Sequence, residues 1–306
     1  MITIEELQGK WDSISPYSDG FLLISGDHPL SFHIGYSGDA QKSFIVLNTD
    51  KIEKIASSRA ISADCILLDS GHYALRFILN HSSLEELFVK LCWDLVDSSK
   101  TDRHPVKKIV AQYCNWMRLL QQAGNGLLSS SMQKGLIGEL LYLNELIDRL
   151  GEENALNSWV GPEGSDQDFL MIDGWTEVKT TSISSDYVTI SSLQQLDRSD
   201  EGSLVVYFMD KTTSEGSSTI SLPEIVDEIN KKIEYIHKDV FECKLIKSGY
   251  LNKDKEKYKE TRYRLAEMRT YFVDQDFPRL TRHNVPAGIS NAEYKISLAL
   301  AESFKI

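Results

Sequence analysis

Two carboxylates and a lysine lie close together in the middle of the 306-residue chain, beside a predicted hairpin. Asp173-Gly174 stands between two apolar runs, and this dipeptide favours the two-residue primed turn of a β-hairpin because both residues tolerate a positive φ. In that register Asp168 faces Lys179, and Glu177 shares their face of the sheet because side chains alternate along a strand. Directly opposed Cβ atoms lie about 4.5–5.5 Å apart. The spacing therefore predicts that two carboxylates and one ammonium group converge.

The apolar residues of the hairpin favour a functional site over a solvated salt bridge. The predicted register pairs Ile172 with Trp175 and Leu170 with Glu177. Apolar residues then occupy both faces, with Leu170, Ile172 and Trp175 on one and Phe169, Met171 and Val178 on the other. A strand pair of this kind is expected to be covered on both faces, so charges there need a partner or a metal ion. Mg²⁺ prefers oxygen ligands; a surface salt bridge remains the alternative.

Glu139 is a third carboxylate in an unusual position, on a helix predicted over residues 135–150. The apolar stripe of this helix consists of Leu136, Leu140, Leu143, Ile147 and Leu150. At about 100° per residue, Glu139 falls on the buried flank of that stripe. A carboxylate there is either paired or functional, since isolated burial of a charge is costly. A hydrogen bond to a neighbouring loop and a role in a site both remain open.

The formal net charge of −12, taken whole, argues against a protein that coats nucleic acid or a membrane surface. The acids are concentrated, however, because residues 139–201 hold 14 acidic and three basic residues. Segments 100–134 and 231–270 are each +5, a composition suited to phosphate contact. The candidate contacts to nucleic acid are Lys107, Lys108, Lys253, Lys255, Lys257, Arg262 and Arg264. For each segment the alternative is a solvated face of mixed charge.

Composition and cysteine usage exclude several classes of protein. The 42% hydrophobic and 25% charged residues are those of a globular chain, not of a disordered or fibrous one. The four cysteines are scattered, which favours free thiols over a zinc site or disulfides. No stretch approaches the roughly 18–20 apolar residues of a membrane span, and the acidic start lacks the features of a signal peptide. We therefore expect a cytoplasmic protein with no membrane partner.

The predicted elements divide the chain into two domains. Residues 1–100 alternate turn signals with short β-type runs and close with a helix that begins at Ser82 or Ser83, which predicts a β-rich N-terminal domain. A polar stretch at 97–102, followed by Pro105, marks the boundary. Beyond it, predicted helices are followed by strands at 166–172, 175–181, 187–190, 204–209 and 293–300. Residues 101–306 are therefore predicted to form a mixed α/β domain.

Several blocks of the chain resemble a known family. Asp168, eight intervening residues and then Glu177-Val178-Lys179 are similar to the signature of the PD-(D/E)XK nuclease superfamily, with Glu139 as its preceding helical glutamate. Blocks at 135–140, 159–162, 191–196 and 277–280 resemble a prokaryotic family described by this motif, which is associated with restriction and phage-defence loci. The similarity spans most of the chain. One departure is the residue before Asp168, which is Gln167 and not proline.

The resemblance implies a restriction-endonuclease-like core, which is an α/β fold with a central mixed sheet flanked by helices. It also implies that Asp168, Glu177 and the Val178 carbonyl ligate Mg²⁺, for which Mn²⁺ would substitute. Glu139 would hold the ion directly or through water. Lys179 would orient the attacking water and stabilise the charge that develops on the phosphate.

The implied activity is that of a metal-dependent endodeoxyribonuclease in a restriction or anti-phage defence system. Gln194 matches the site-lining glutamine of some relatives, and plain surface exposure is its alternative. Cleavage of both DNA strands by one site per chain would make a homodimer convenient. A second hypothesis is a non-cleaving subunit that binds DNA or other subunits of a defence complex. RNA cleavage by the same core is a third.

Overall fold

The computed structural model describes residues 2–306 except 19, 25, 39, 53, 54, 59, 124–126, 214, 215 and 217, and the side chains of residues 48 and 118–123 also lie outside the description. The chain divides into two compact units, Met1–Gly124 and Asn125–Ile306. Both combine helices with sheets, so the mixed α/β class predicted from the sequence is confirmed. In the part of the chain that the structure describes, no helix combines the length and apolarity needed to cross a bilayer.

The first unit contains a five-stranded antiparallel sheet of order β1-β2-β3-β5-β4. Its elements are α1 (Ile4–Asp12), β1 (Leu22–Leu23), β2 (Ser31–Ser37), β3 (Gln41–Thr49), β4 (Ile61–Leu67), β5 (Tyr73–Leu79), a 3₁₀ turn (Ser82–Leu84), α2 (Glu85–Ser99) and α3 (Pro105–Ala123). Phe32 and Ile34 of β2 are fully buried, and so are Phe44 and Val46 of β3. This spacing of two residues is that of a strand with one face towards a core.

The helix α3 packs within the first unit. The Trp116 indole Nε1 donates to Asp94 Oδ2 of α2 over 2.7 Å, and the rings of Tyr113 and Phe77 lie 4.8 Å apart. The compact unit therefore extends to Gly124, whereas the sequence predicts a domain boundary after residue 100. The domain division itself stays a prediction.

The second unit contains a five-stranded sheet of order β10-β11-β9-β7-β6 and a two-stranded sheet of β8 and β12. Its helices are α4 (Ser130–Leu150), α5 (Glu152–Ser158), α6 (Leu222–Lys232), α7 (Tyr235–Lys247), α8 (Lys255–Tyr258) and α9 (Leu298–Ala301). Its strands are β6 (Phe169–Met171), β7 (Gly174–Thr181), β8 (Tyr187–Ile190), β9 (Gly202–Thr212), β10 (Thr219–Ser221), β11 (Arg262–Val273) and β12 (Tyr294–Ser297). Short 3₁₀ turns cover Gly161–Glu163, Leu193–Gln195, Asn252–Asp254 and Glu302–Phe304.

The larger sheet of the second unit is covered on both faces. Strands β7 and β9 run parallel, and parallel strands need covering on both sides because both of their faces are apolar. Val178 and Tyr207 pack into one buried apolar cluster with α4, while Trp175 and Val206 pack into another on the opposite face. The expectation that the predicted hairpin is covered on both faces is therefore confirmed.

The helix α4 lies directly against β7. Ser129 caps its first turn by accepting from the backbone nitrogen of Met132, which satisfies one of the otherwise unpaired amides of a helix start. At Gly138, an added Cβ would lie 2.5 Å from Thr180 Cγ2. The close approach that glycine permits brings the next residue, Glu139, to the edge of the sheet.

Candidate active site

The strands β6 and β7 form the predicted hairpin, but in a different register. The observed pairs are Phe169 with Thr176, Leu170 with Trp175 and Met171 with Gly174. The turn therefore consists of Ile172 and Asp173, and the predicted pairing of Asp168 with Lys179 is wrong. The predicted placement of Ile172 on the apolar face is also wrong, because this side chain is fully exposed at the turn.

Gly174 explains the difference in register. Its φ of 148° lies in the region that favours glycine, and an added Cβ would lie 3.0 Å from the backbone oxygen of Glu201. Glycine is thus required here for a close approach of two backbones, outside the turn itself. The shift amounts to two residues, so it preserves the alternation of faces. Glu177 and Lys179 therefore keep a shared face of β7, while Asp168 lies just before β6 and outside the paired residues.

The edge of β7 beyond Thr176 is where the candidate site lies. In the described part of the chain, β6 pairs with β7 only as far as Phe169 opposite Thr176. The next donor on that edge, the backbone nitrogen of Val178, binds Asp168 Oδ2 over 2.8 Å. The N–H and C=O of one strand residue project to the same edge, so the Val178 carbonyl also faces the side of Asp168.

Glu177 and Lys179, the neighbours of Val178 on β7, form an ion pair that is largely buried. Lys179 Nζ lies 2.6 Å from Glu177 Oε1. The Glu177 side chain is 0% exposed and that of Lys179 is 15% exposed. Glu177 Oε2 has no hydrogen-bond partner among the described residues. A buried carboxylate oxygen without a donor is costly, and a bound cation is one way to satisfy it.

Glu139 reaches the same place from α4. Its Oε2 accepts a hydrogen bond of 2.8 Å from Nε1 of Trp159, a residue that is fully buried. The backbone nitrogens of Val160 and Gly161 bind the carbonyl oxygen of Asp168 over 2.8 and 3.0 Å. The segment that follows α5 therefore contacts both Glu139 and Asp168.

The pKa values of all three carboxylates are raised, and burial is the largest cause in each case. Burial, together with the charge of Asp168, raises the pKa of Glu139 to about 8. Burial also raises the pKa of Asp168, against the opposing charge of Lys179. The pKa of Glu177 is raised well above its usual range by burial and then by Asp168. Three carboxylates thus share one nearby ammonium group, and the local excess of negative charge favours a cation or protons.

The residues present fit a divalent ion bound through oxygen. An added Cβ at Gly161 would lie 3.0 Å from Asp168 Oδ1 and 3.5 Å from Glu139 Oε2, so the absence of a side chain leaves space beside both carboxylates. Among the described residues, no three His, Cys, Asp or Glu side chains are placed so that they could hold a metal ion by themselves. Mg²⁺ does not require such a set, because it keeps several waters and is held by one or two carboxylates together with substrate phosphates.

Gln194 lies on the 3₁₀ turn Leu193–Gln195 and is partly exposed. This turn is held by Gln167, whose buried Nε2 donates to the carbonyl oxygens of Gln194 and Gln195 over 2.8 and 3.3 Å. The residue that replaces the motif's proline therefore links Asp168 to the turn that carries Gln194.

The candidate nucleic-acid contacts fall into three groups. Lys255 pairs with Asp227 over 2.6 Å, Lys257 with Asp254 over 2.7 Å and Arg262 with Glu224 over 2.8 Å. Lys253 and Arg264 are exposed, and no ion pair joins them to the described acids. Lys107 and Lys108 lie at the start of α3 in the first unit. Within the second unit, no ion pair among the described residues joins Lys253, Lys255, Lys257, Arg262 or Arg264 to Glu139, Asp168 or Glu177.

Sequence reasoning did not single out three residues that contact the site, namely Trp159, Gly161 and Gln167. Trp159 and Gly161 belong to the block 159–162, so the resemblance pointed to the segment without giving its contacts. Gln167 carried no signal in the sequence except that it departs from the motif. Its burial and its two bonds to a turn 27 and 28 residues away emerge only from the fold.

An α/β sheet covered on both faces, with Asp168, Glu177 and Lys179 at an open edge and Glu139 on the adjoining helix, defines the PD-(D/E)XK nuclease-like class. A family model described as "Putative PD-(D/E)XK family member, (DUF4420)" matches residues 7–299. The chain belongs to this family, as the resemblance in its sequence indicated. No curated protein and no solved structure matches it.

Proposed function

We propose that this protein is a metal-dependent endodeoxyribonuclease that hydrolyses DNA phosphodiesters in a restriction or anti-phage defence system. The observation that carries the proposal is the convergence of Glu139, Asp168 and Glu177 on the open edge of β7, with Lys179 as the partner of Glu177 at 2.6 Å. The choice of DNA and of defence rests on membership of a nuclease-like family and on the resemblance of the sequence blocks.

The proposed metal ligands are Asp168, Glu177, the Val178 carbonyl and Glu139. A divalent ion, Mg²⁺ with Mn²⁺ as a substitute, would polarise the phosphodiester and offset its charge when bound. Asp168 already binds the backbone of Val178 through Oδ2, which holds its carboxylate in one orientation. The other oxygen, Oδ1 of Asp168, faces the space that Gly161 leaves open.

Lys179 is the proposed catalytic cation. Its ammonium group is held by Glu177 yet keeps 15% of its side chain exposed, so it has donors left for a water molecule or a phosphate oxygen. A preorganised donor of this kind stabilises charge that develops during in-line attack on phosphorus. Gln194 is proposed to line the same site, oriented by the bond between Gln167 and its backbone.

Further parts of the proposal concern the assembly and the location of the protein. A homodimer would provide one site for each strand of the duplex. We propose a cytoplasmic enzyme, with other subunits of a defence system as further partners.

The alternative function is a non-cleaving subunit that binds DNA or such a partner. The close placement of the three carboxylates argues against it, because a scaffold gains nothing from placing three acids together.

Replacing Lys179 tests the proposal directly. We expect Lys179→Ala to lower the rate of plasmid cleavage in Mg²⁺ by about 10²–10⁴-fold, because a positioned proton-transfer or charge-stabilising group contributes that much. DNA affinity, measured by fluorescence anisotropy in Ca²⁺, should change little. Lys305→Ala is the matched control, since it removes an exposed lysine at the far end of the chain.

The outcome that contradicts the proposal is cleavage by Lys179→Ala at the rate of the unchanged protein. Because this substitution leaves Glu177 buried without its cation, a thermal melt must show that the variant is folded. Asp168→Asn provides a second inactive variant that keeps the ion pair. Asp173→Asn, in the exposed turn of the same hairpin, is its control and should cleave normally.

A further inference from the structure

Trp159 is the only described side chain that donates a hydrogen bond to Glu139. The indole Nε1–H is a donor without acceptor capacity, and the ring is fully buried. Its ring lies 6.3 Å from that of Phe241, and its backbone oxygen accepts from the buried Lys244 ammonium group of α7. The donor that reaches Glu139 is therefore held by both its ring and its main chain.

Glu139 needs such support more than the other carboxylates do. Asp168 is held by the amide of Val178 and Glu177 by the ammonium group of Lys179. Glu139 comes from a different element, α4, on a longer side chain than that of Asp168. Ordering a long glutamate side chain costs rotamer entropy, so an unsupported Glu139 would present its carboxylate to the site only part of the time.

We propose that Trp159 is a positioning residue that holds the carboxylate of Glu139 for divalent-metal binding. This inference rests on the proposed function only in taking Glu139 as part of a metal site. Trp159 does not touch the metal or the substrate. It acts through Glu139 by holding one carboxylate oxygen from a ring that cannot move within the core.

A purely structural role is the competing explanation, because Trp159 also belongs to the apolar cluster beneath α4. The two explanations differ in how the effects of substitutions combine. If Trp159 acts through Glu139, removing the indole N–H has no consequence for metal binding once Glu139 is already replaced. If it acts by packing alone, its effect persists in that background, as independent effects do.

The experiment is a double-mutant cycle on the full chain, with Mn²⁺ affinity measured by titration calorimetry in the absence of DNA. We expect Trp159→Phe to weaken Mn²⁺ binding by about tenfold or more, which is the usual effect of losing the partner of a metal ligand. Glu139→Ala, which leaves no acceptor for the indole N–H, should weaken it further. Trp159→Phe/Glu139→Ala should match Glu139→Ala alone. Unchanged affinity in Trp159→Phe, or additive losses in the double variant, would overturn the inference.

Trp175→Phe is the matched control for the loss of a buried indole. Trp175 is also buried, in the same unit, and its Nε1 donates to the backbone oxygen of Asp200 over 3.0 Å, away from Glu139. We expect it to lose stability but to keep the Mn²⁺ affinity of the unchanged protein. If Trp159→Phe does not fold, benzothienylalanine at position 159 keeps the ring shape and removes only the N–H. The same expectations then apply to that variant.

Failure of the inference and failure of the proposed function give different results. Mn²⁺ binding that depends on Trp159 through Glu139, without cleavage of any DNA, would support the inference and contradict the proposed nuclease function. DNA cleavage together with additive losses in the cycle would support the nuclease function and contradict the inference. A chain that takes up no Mn²⁺ overturns the inference.

Discussion

The ionisation of Glu139 makes the charge of the site depend on pH. Burial, together with the charge of Asp168, raises its pKa to about 8, while the Trp159 hydrogen bond and the charge of Lys179 oppose that rise. The folded state thus binds this proton more tightly than the unfolded state does, where a glutamate has a pKa of about 4.3. The stability contributed by the proton is fully present below the unfolded pKa and is lost as the pH rises through about 8.

We therefore expect the metal-free protein to melt at a lower temperature at pH 9 than at pH 6. Asp168 and Glu177 act in the same direction, because their pKa values are raised as well. Glu139→Gln should reduce the difference between the two melting temperatures, since the amide does not titrate. Saturating Mg²⁺ should also reduce it by binding the ionised carboxylates. A metal-free protein that melts at the same or a higher temperature at pH 9 would contradict this assignment of charge.

At the scale of elements, the segment after α5 decides the geometry of the site as much as the hairpin does. Gly161 passes so close to Asp168 and Glu139 that any side chain would enter the space between them. The 3₁₀ turn Gly161–Glu163 is anchored at its far end, where Glu163 pairs with Lys244 of α7 over 3.0 Å. The turn therefore has little freedom to move away from the carboxylates.

The close approach of Gly161 predicts the effect of one added methyl group. Gly161→Ala would place a Cβ 3.0 Å from Asp168 Oδ1, so we expect Mn²⁺ affinity to fall about tenfold or more and DNA cleavage to fall with it. Gly135→Ala on α4 is the matched control, because a Cβ there meets nothing within 4 Å. The control should keep its activity and become more stable by up to about 1 kcal/mol from helix propensity. Normal Mn²⁺ binding by Gly161→Ala, measured by calorimetry, would contradict the proposed site.

The elements differ in how far the sequence predicts them. The helix α4 and the strands β6 and β7 follow from local patterns, because apolar periodicity and a turn dipeptide lie within a few residues. The long strand β11 was not predicted, because its charged residues belong to the segment 231–270, which was interpreted as a basic surface. Its pairing with β9 runs from Arg262 opposite Thr212 to Val273 opposite Gly202, with a bulge between Leu265 and Glu267. A strand defined by a distant partner leaves little trace in its own sequence.

At the scale of the whole molecule, the net charge of −12 does not describe the surface that DNA would meet. Part of the acidic excess lies in the carboxylates of the candidate site, where protons or a metal ion would offset it. The cations predicted to contact DNA are not equivalent either. Lys255 forms an ion pair with Asp227, and Arg262 forms one with Glu224. Lys253 and Arg264, in contrast, are exposed and form no ion pair with a described acid.

We expect this difference to appear in the salt dependence of DNA binding. In an Asp168→Asn background, Lys253→Ala/Arg264→Ala should reduce the slope of log affinity against log salt by about 0.9 for each phosphate that the variant no longer neutralises. Lys255→Ala/Arg262→Ala should change the slope less, because those donors already bind carboxylates. Fluorescence anisotropy at several salt concentrations measures both. Equal slopes for Asp168→Asn alone and for the first variant would show that Lys253 and Arg264 do not bind phosphate.

The sequence by itself determined the mixed α/β class, the family and the shared face of Glu177 and Lys179. It could do so because these properties depend on local periodicity and on short spacings, which survive even a register shift of two residues. Only the tertiary structure decided that Ile172 and Asp173 form the turn, since Gly174 is needed for contact with the backbone of Glu201. It also decided which groups hold each carboxylate. Trp159 and Gly161 contact Glu139 and Asp168 across separate elements. Contacts of this kind produce no periodic pattern and no fixed spacing in the sequence, so they cannot be predicted from it.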